Sequence, residues 1–451
     1  MRAREIDMLH GSLWDKIILF AMPLALTGFL QQLYNTADTV IAGRFIGTHA
    51  MAAVGTNVSL IGLVVNLFLG VSLGANVMIA RYIGSREPDK AGAAVHTAFL
   101  LAAAAGALVL AVGETLAGHI MGWLAVPPEV RSLAETYLRV YFLGMPFLAL
   151  YNFEAAIFRS RGDTETPLLA LVVASSLNAV LDYLFTACWG WGTAGLALAT
   201  VLAQGTAAAI LFQGLRGAPG VIHLDIAALR LDRDRLREIV RIGVPAGVQG
   251  GVFSLANIVI QSAINSLGAD TMAASGAAFT IELNIYCVIY SFGQAATTFV
   301  SQNYGAGDLV RCRRAALLSF GLNALCMGLM TAAILSFATP LMRLFDDNPE
   351  VIRLGVVRLF YVVGPEILNA VIDVFSGALR GYGFSLPPAV LAVIGICGVR
   401  LGWVAFVFPR YPAFETLMLC YPVSWSVTAV LILAAYRFYS RHVPVRRPLA
   451  G

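Results

Sequence analysis

Polar and acidic side chains interrupt a long apolar stretch near the start of the chain, residues 13–43. Its acid is Asp38, and Gln31, Tyr34 and Asn35 precede it at spacings that place all four side chains on one helix face. A carboxylate at membrane depth costs about 2.5–3.5 kcal/mol on insertion scales, so it faces a bundle interior or a wet cavity. The pattern predicts chemistry at Asp38, while the other three either line a cavity or bond neighbouring helices.

A second polar group falls in two later apolar stretches. Asn178 and Asp182 are four residues apart and so share a helix face, and Thr200 follows in the next stretch. Carboxylate, amide and hydroxyl oxygens can replace the water around a hard cation such as sodium, and a desolvated carboxylate can bind a proton instead. These residue types therefore predict a site for Na+ or H+, with hydrogen bonds between helices as the alternative.

Acids also occur in the second half of the chain. Glu366 and Asp373 lie seven residues apart on one predicted helix, and Glu282 and Tyr286 lie four apart on another. Arg400 is the only basic residue that the pattern places deep in a span, and Glu366 or Asp373 is its expected ion-pair partner. Two interpretations stay open for these acids: contact with a substrate, or structural pairing.

The composition identifies the environment of these groups. Of the 451 residues, 59% are hydrophobic and 12% charged, whereas soluble proteins average about 25% charged residues. Alternating strand patterns are absent, so we predict an all-α integral membrane protein without a cleavable signal peptide. Twelve transmembrane helices are expected, at residues 14–42, 51–83, 92–117, 134–159, 167–187, 193–214, 238–266, 276–304, 314–338, 353–379, 387–408 and 415–437.

The distribution of positive charge predicts orientation. Most of the 30 Lys and Arg residues lie in segments that the predicted spans place on the same side of the membrane as the amino terminus. Positive charge concentrates on the cytoplasmic side, so both termini are expected in the cytoplasm. The small net charge of +4 gives no indication of nucleic-acid binding. The longest connection between spans comprises residues 215–241. Its leucines and isoleucines lie at helical spacing, opposite a charged face, which predicts an amphipathic helix at the membrane surface.

The two halves of the chain repeat. Pro23 matches Pro245 and Asn35 matches Asn257 at the same interval, while Ile260 stands where the counterpart of Asp38 would fall. Six spans in each half make this a parallel repeat, which predicts two lobes and alternating access. The expected domains are an amino-terminal lobe at 1–214, a linker at 215–241 and a carboxy-terminal lobe at 242–451.

Several motifs accompany the proline-bearing first helix: SREPDKA (85–91), RGDTETP (161–167), NAVLDYLF (178–185) and GAGDLVR (305–311). With them the chain resembles the multidrug and toxic compound extrusion (MATE) family, in its DinF-like branch, over residues 13–437. The resemblance implies a two-lobed antiporter that expels cationic or amphipathic compounds in exchange for protons or sodium ions.

The resemblance also implies roles for individual residues. One MATE branch has a cation site in the amino-terminal lobe, with an acid where Asp38 stands and an amide, an acid and a hydroxyl where Asn178, Asp182 and Thr200 stand. The NorM-like branch has acids in the second lobe, but the corresponding positions here are Phe253 or Ser254, and Asn369. Cation coupling is therefore expected in the amino-terminal lobe.

These observations predict a secondary active exporter. Binding of an external cation at the acids would let the first helix bend near Pro23, which acts as the hinge, and release the substrate. Expected are a bacterial inner-membrane location, a monomer and no cofactor or metal. The nearest alternative is a lipid-linked oligosaccharide flippase of the same superfamily. A passive channel is less consistent, because no filter motif is present, and no motif of an ATPase, zinc protease or serine hydrolase supports an enzyme.

Overall fold

The computed structural model describes residues 5–124 and 126–444, apart from the side chain of Ser59, and within them every regular element is helical. The outermost ends of the two predicted lobes, 1–4 and 445–451, lie outside these residues. Helices satisfy their own backbone hydrogen bonds, as the apolar bilayer requires. The first half contains α1 Trp14–Ile46, α2 Thr48–Gly84, α3 Pro88–Trp123, α4 Pro128–Leu143, α5 Met145–Ser160, α6 Glu165–Cys188 and α7 Gly192–Gly217.

The second half repeats this order with more breaks. Its helices are α8 Arg233–Asn265, α9 Ala269–Gly305, α10 Leu309–Ser336, α11 Ala338–Arg343, α12 Pro349–Val363, α13 Glu366–Gly381, α14 Leu386–Val407 and α15 Phe414–His442.

The predicted all-α membrane fold is confirmed. Among the described residues, ten helices are long and apolar enough to cross a bilayer, and α4 with α5, bent by 48°, forms an eleventh. The predicted tenth span corresponds to α12 and α13, which have 15 and 16 residues and break at Gly364 and Pro365. Neither reaches the length of about 20 residues that one straight span needs.

Backbone conformation supports the internal repeat. The turns of the first half with positive φ include those at Gly47, Arg86 and Gly162. At the same interval along the chain, the second half has positive φ at Gly268, Gly307 and Gly383. Glycine reaches this region without a Cβ penalty, which is why five of these six turns use it.

The chain forms two compact units whose boundaries differ from the predicted lobes. Unit 1 comprises Leu26–Gly247 with residues 5–6, and unit 2 comprises Asp7–Ala25 with residues 248–444. The first part of α1 thus belongs to unit 2, and the first part of α8 to unit 1. Each boundary lies two residues beyond an internal proline, Pro23 or Pro245. Hydrophobic periodicity locates the helices but does not reveal this exchange.

Glycines explain why the start of α8 packs in unit 1. The motifs Gly70-x-x-x-Gly74 of α2 and Gly243-x-x-x-Gly247 of α8 meet backbone to backbone. A Cβ built on Gly74 would lie 2.2 Å from the Ile239 carbonyl oxygen. Small residues of this kind let membrane helices approach closely.

We expect Gly74→Val to lower the thermal stability of the purified protein strongly. Overpacking costs about 1–3 kcal/mol, and more where the obstacle is backbone, as here. Gly55→Ala is the control, because a Cβ at Gly55 meets nothing within 4 Å. Equal melting temperatures for the two variants would contradict the close crossing.

Side chains of unit 2 hold the segment that precedes α1. The Arg311 guanidinium donates to the carbonyl oxygens of Met8, His10 and Gly11 at 3.0–3.1 Å, and Asn303 also donates to Met8. Exposed Asp7 accepts backbone hydrogen bonds from Leu9 and His10, and hydrogen bonding to the charged form lowers its pKa although partial burial opposes this.

The connection at 215–241 does not contain the predicted separate amphipathic helix. Helix α7 continues to Gly217, a single 3-10 turn covers Gly220–Ile222, and the charged residues from Arg233 onward already form the first turns of α8. The intervening segment is fixed to α3, where the backbone N–H of Asp232 donates to the Thr97 hydroxyl at 3.1 Å. The apolar residues predicted to face lipid instead include Leu224 and Ile239, which are buried in the core of unit 1.

Candidate functional site

Two acids from different helices meet inside unit 1. Asp38 of α1 is 5% exposed, Asp182 of α6 is fully buried, and their carboxyl groups are close enough to hydrogen-bond if one of them carries a proton. Within the described part of the chain, Asp38 Oδ1 and both Asp182 carboxyl oxygens have no hydrogen-bond partner. Buried polar atoms without a partner are costly, so a shared proton or a bound cation would stabilise this pair.

Local structure positions both acids. The Asp163 carboxylate caps the start of α6 by accepting the Thr166 N–H at 2.9 Å. After Asp182, α6 widens into a π-type turn at Leu184–Cys188, and after Asp38, α1 does the same at Ala42–Ile46. Such turns often occur at functional sites, and no residue pattern in the sequence had indicated them.

The predicted amide and hydroxyl lie beside the acids. Asn178, 1% exposed, is next to the Asp182 carboxyl group, although its Nδ2 makes no hydrogen bond of ordinary geometry. The Thr200 hydroxyl of α7 lies next to both Asp38 and the Tyr34 hydroxyl, and it donates to the Leu196 carbonyl oxygen at 3.2 Å. The structure therefore brings together all four residues predicted to bind a cation.

Two tyrosines of α4 complete the surroundings, and sequence reasoning did not single them out. Tyr137 and Tyr141 stack with ring centroids 5.9 Å apart and lie within electrostatic reach of Asp38. The Tyr141 hydroxyl accepts a hydrogen bond from Gln204 at 3.3 Å. No Lys or Arg among the described residues interacts with either acid, so the site presents carboxyl, amide and hydroxyl groups without a fixed positive charge.

The predicted cavity residues of α1 divide into two groups. Tyr34 is half-buried with its hydroxyl turned toward the acid pair, whereas Gln31 and Asn35 are exposed.

The predicted hinge, Pro23, lies inside α1, and the helix continues through it from Trp14. Its missing N–H removes the hydrogen bond to the carbonyl of Leu19 that the regular helix would have.

In unit 2, Glu282 is a structural ion-pair partner. Arg358 donates to both Glu282 carboxylate oxygens, at 2.7 and 2.8 Å, and also to the Ser275 hydroxyl. Both charged side chains are nearly inaccessible, at 3% and 1% exposure. Arg358 was not recognised because the predicted span began at 353, which left it near a helix end, whereas α12 begins at Pro349. Arg400 is therefore not the only buried basic residue.

Arg400 also has partners other than those predicted. It donates to Asn257 Oδ1 at 3.0 Å and to Ser424 at 3.3 Å, and forms no direct ion pair with Glu366 or Asp373 within the described chain. Glu366 is buried and accepts from Asn369 at 3.1 Å, with Tyr286 beside it.

Asp373 is half-buried against Gly293. A Cβ built on Gly293 would lie 1.9 Å from an Asp373 carboxylate oxygen, so only glycine leaves room for this acid.

Comparison with known proteins agrees with the repeat and the fold. The MatE family model matches the chain twice, at residues 23–184 and 245–404, and each match begins at an internal proline. The chain is 27% identical to the probable multidrug resistance protein YoeA of Bacillus subtilis over 445 residues, covering 97% of this chain and 96% of YoeA. It is 28% identical to a protein named FAD transporter from Shewanella oneidensis, over 82% of this chain and 81% of that one.

The fold matches experimental structures along nearly the whole chain. A crystal structure of a MATE protein in a bent conformation superposes with a TM-score of 0.90 at 22% identity, covering 97% of this chain and 98% of that one. A MOP superfamily transporter from Pyrococcus furiosus superposes with a TM-score of 0.91 at 22% identity, covering 98% of this chain and 99% of that one. The fold and the double match define a multi-pass membrane protein built from two repeats. The chain belongs to the MATE family.

Proposed function

We propose that this protein is a secondary active efflux antiporter, which exports cationic or amphipathic compounds in exchange for protons or sodium ions. The observation that carries the proposal is the pair Asp38 and Asp182, buried together without a counter-charge and with unpartnered oxygens. Two such carboxylates repel each other strongly at low dielectric, so the site favours binding of a cation. Relatives named probable multidrug resistance proteins support drugs as the substrates, and the acidic site favours cationic ones.

The acid pair can couple substrate to cation through α1. Cation binding removes the repulsion between the carboxylates, which allows α1 to rearrange near Pro23, where one backbone hydrogen bond is missing. Asn178 and Thr200 supply neutral oxygens that replace water around the ion. If cation binding weakens substrate binding, substrate weakens cation binding by the same factor.

Uptake of a fluorescent cation such as ethidium into proteoliposomes tests this function. The purified protein is reconstituted, and a proton gradient and a sodium gradient are imposed separately. We expect accumulation against the substrate gradient with at least one of the two ions. Substrate movement that only dissipates its own gradient would identify a passive pathway instead.

We also propose a bacterial inner-membrane location, because the relatives are bacterial, and a monomeric state. Cytoplasmic termini are proposed from the distribution of Lys and Arg. In that orientation Cys188, at the end of α6, lies on the outer side. It is the one exposed cysteine of the described chain.

A membrane-impermeant maleimide is therefore expected to label Cys188 in intact cells, and Cys188→Ser should remove the label. Labelling of Cys188 only after permeabilisation would reverse the orientation.

A further inference from the structure

Helix α4 of unit 1 carries a stripe of charged side chains on the side away from the core. Arg131, Glu135 and Arg139 follow one another at four-residue intervals, which aligns them along one side of the helix. Both arginines are exposed and the glutamate is half-buried. Leu143 and then Phe147 of α5 follow at the same interval, and both are exposed and apolar. Because α4 and α5 form one bent span, the charges lie nearer the membrane surface and the apolar side chains lie deeper.

The internal repeat shows that the fold does not require these charges. Helix α12 of unit 2 is the counterpart of α4: both begin with the sequence Pro-Glu-Val, at Pro128 and Pro349, and their buried positions recur at the same interval. At that interval, the residues of α12 that correspond to the charged stripe are Ile352, Val356 and Phe360. These are apolar, as expected of a helix face that contacts lipid chains. The charged stripe is therefore a particular feature of α4.

The charges of the stripe are unevenly paired. Arg139 donates to Glu135 Oε1 at 2.9 and 3.0 Å and to Glu114 of α3 at 3.2 Å, so one arginine serves two acids. Glu135 Oε2 accepts no hydrogen bond from the described residues. Arg131 donates to the Gly118 carbonyl oxygen at 3.3 Å and forms no ion pair within the described chain. A surplus positive charge at Arg131 thus lies one helical turn from a surplus negative charge at Glu135.

A groove along α4 connects these two charges. Its volume is about 480 Å³, and the side chains that line it are Pro128, Arg131, Ser132, Glu135, Thr136 and Arg139. Residues four apart on a helix have Cβ atoms about 5–6 Å apart. A headgroup in which two carbon atoms separate a phosphate from a primary ammonium presents opposite charges at a similar spacing. Exposed Trp123, which ends α3 shortly before α4 begins, is of the residue type enriched at the level of lipid headgroups.

We infer that this groove binds the headgroup of phosphatidylethanolamine. Arg131 and the two hydroxyl groups of the groove bind the phosphate, Glu135 Oε2 accepts a hydrogen bond from the ammonium, and an acyl chain lies along Leu143. A choline headgroup has the same charges but no N–H to donate, and a glycerol headgroup has no positive charge. The opposite face of α4 carries Tyr137 and Tyr141, so one helix contacts the lipid on one side and the acid site on the other.

Native mass spectrometry of the purified protein tests the lipid preference. The protein is supplied with equal amounts of phosphatidylethanolamine, phosphatidylcholine and phosphatidylglycerol that have identical acyl chains. We expect wild type to retain phosphatidylethanolamine about fivefold more than either other lipid, because one net hydrogen bond distinguishes the headgroups. Glu135→Gln should remove most of its preference over phosphatidylcholine. Arg131→Gln should reduce retention of all three lipids, since each contains the phosphate.

Arg353→Gln is the control, because it replaces an exposed arginine of α12 outside the groove and should keep the wild-type preference. Equal retention of phosphatidylethanolamine and phosphatidylcholine by wild type, or an unchanged preference in Glu135→Gln, would overturn the inference. Arg131 has no ion pair to lose, so Arg131→Gln should fold, and unchanged retention in this variant would overturn it as well. A wild-type dimer that either variant dissociates would assign the face to a second copy of the chain instead.

Discussion

Asp38→Asn and Asp182→Asn are each expected to reduce gradient-driven efflux by about tenfold or more, because an ion drives a conformational change only through its different affinity for the two states. Asparagine preserves size and an oxygen but cannot bind a proton, and it attracts a sodium ion far less. Substrate binding itself should survive, since the acids carry the coupling. Reconstituted vesicles with an imposed gradient measure the loss.

The matched control is Asp347→Asn, an identical change at an exposed position between α11 and α12. It should retain wild-type efflux. Full efflux in either Asp38→Asn or Asp182→Asn would show that the pair does not couple transport.

Thr200→Val, which removes the hydroxyl beside Asp38 at nearly constant volume, should weaken the apparent cation affinity while leaving the maximal rate less affected.

Arg358→Met is expected to cost about 3–5 kcal/mol in the free energy of unfolding, since breaking a buried pair leaves an unpaired buried carboxylate at Glu282. Chemical unfolding of the purified protein measures the loss. Replacing both partners, as Glu282→Gln with Arg358→Met, should recover most of it, because no buried charge then remains.

Arg353→Met on the same helix is the control. Arg353 pairs with Glu350 and Glu415, but all three side chains are largely solvent-exposed, so its removal should change stability little. Arg358→Met as stable as Arg353→Met would mean that the interior of unit 2 does not need this pair.

The sequence was sufficient to single out the residues of the acid site, because each of them is recognisable within its own helix. Asp38 is an acid in an apolar stretch, and Asn178 and Asp182 share a face four residues apart. Their meeting across α1 and α6 could not be derived from periodicity, which places residues on faces but does not say which faces pack. The family resemblance supplied that link.

The pairing of Glu282 with Arg358 and the surroundings of Arg400 required the structure. These contacts join helices far apart in the chain, and Arg358 could be recognised as buried only when the true start of α12 was known. The start of α8 packs in unit 1 for a similar reason: its packing depends on Gly74 and Gly243 meeting backbone to backbone, not on hydropathy. The contacts that hold the segment before α1 in unit 2, such as the hydrogen bond from Arg311 to Met8, also join parts far apart in the chain.

The most direct test of the acid pair is the affinity of the purified protein for a fluorescent cationic substrate, measured while pH and sodium concentration are varied independently. The wild-type protein should bind substrate more weakly as the coupling ion becomes more concentrated, and substrate should displace that ion by the same factor. The double variant Asp38→Asn with Asp182→Asn should bind substrate equally at every ion concentration. Wild-type affinity that is independent of both ions would contradict the account.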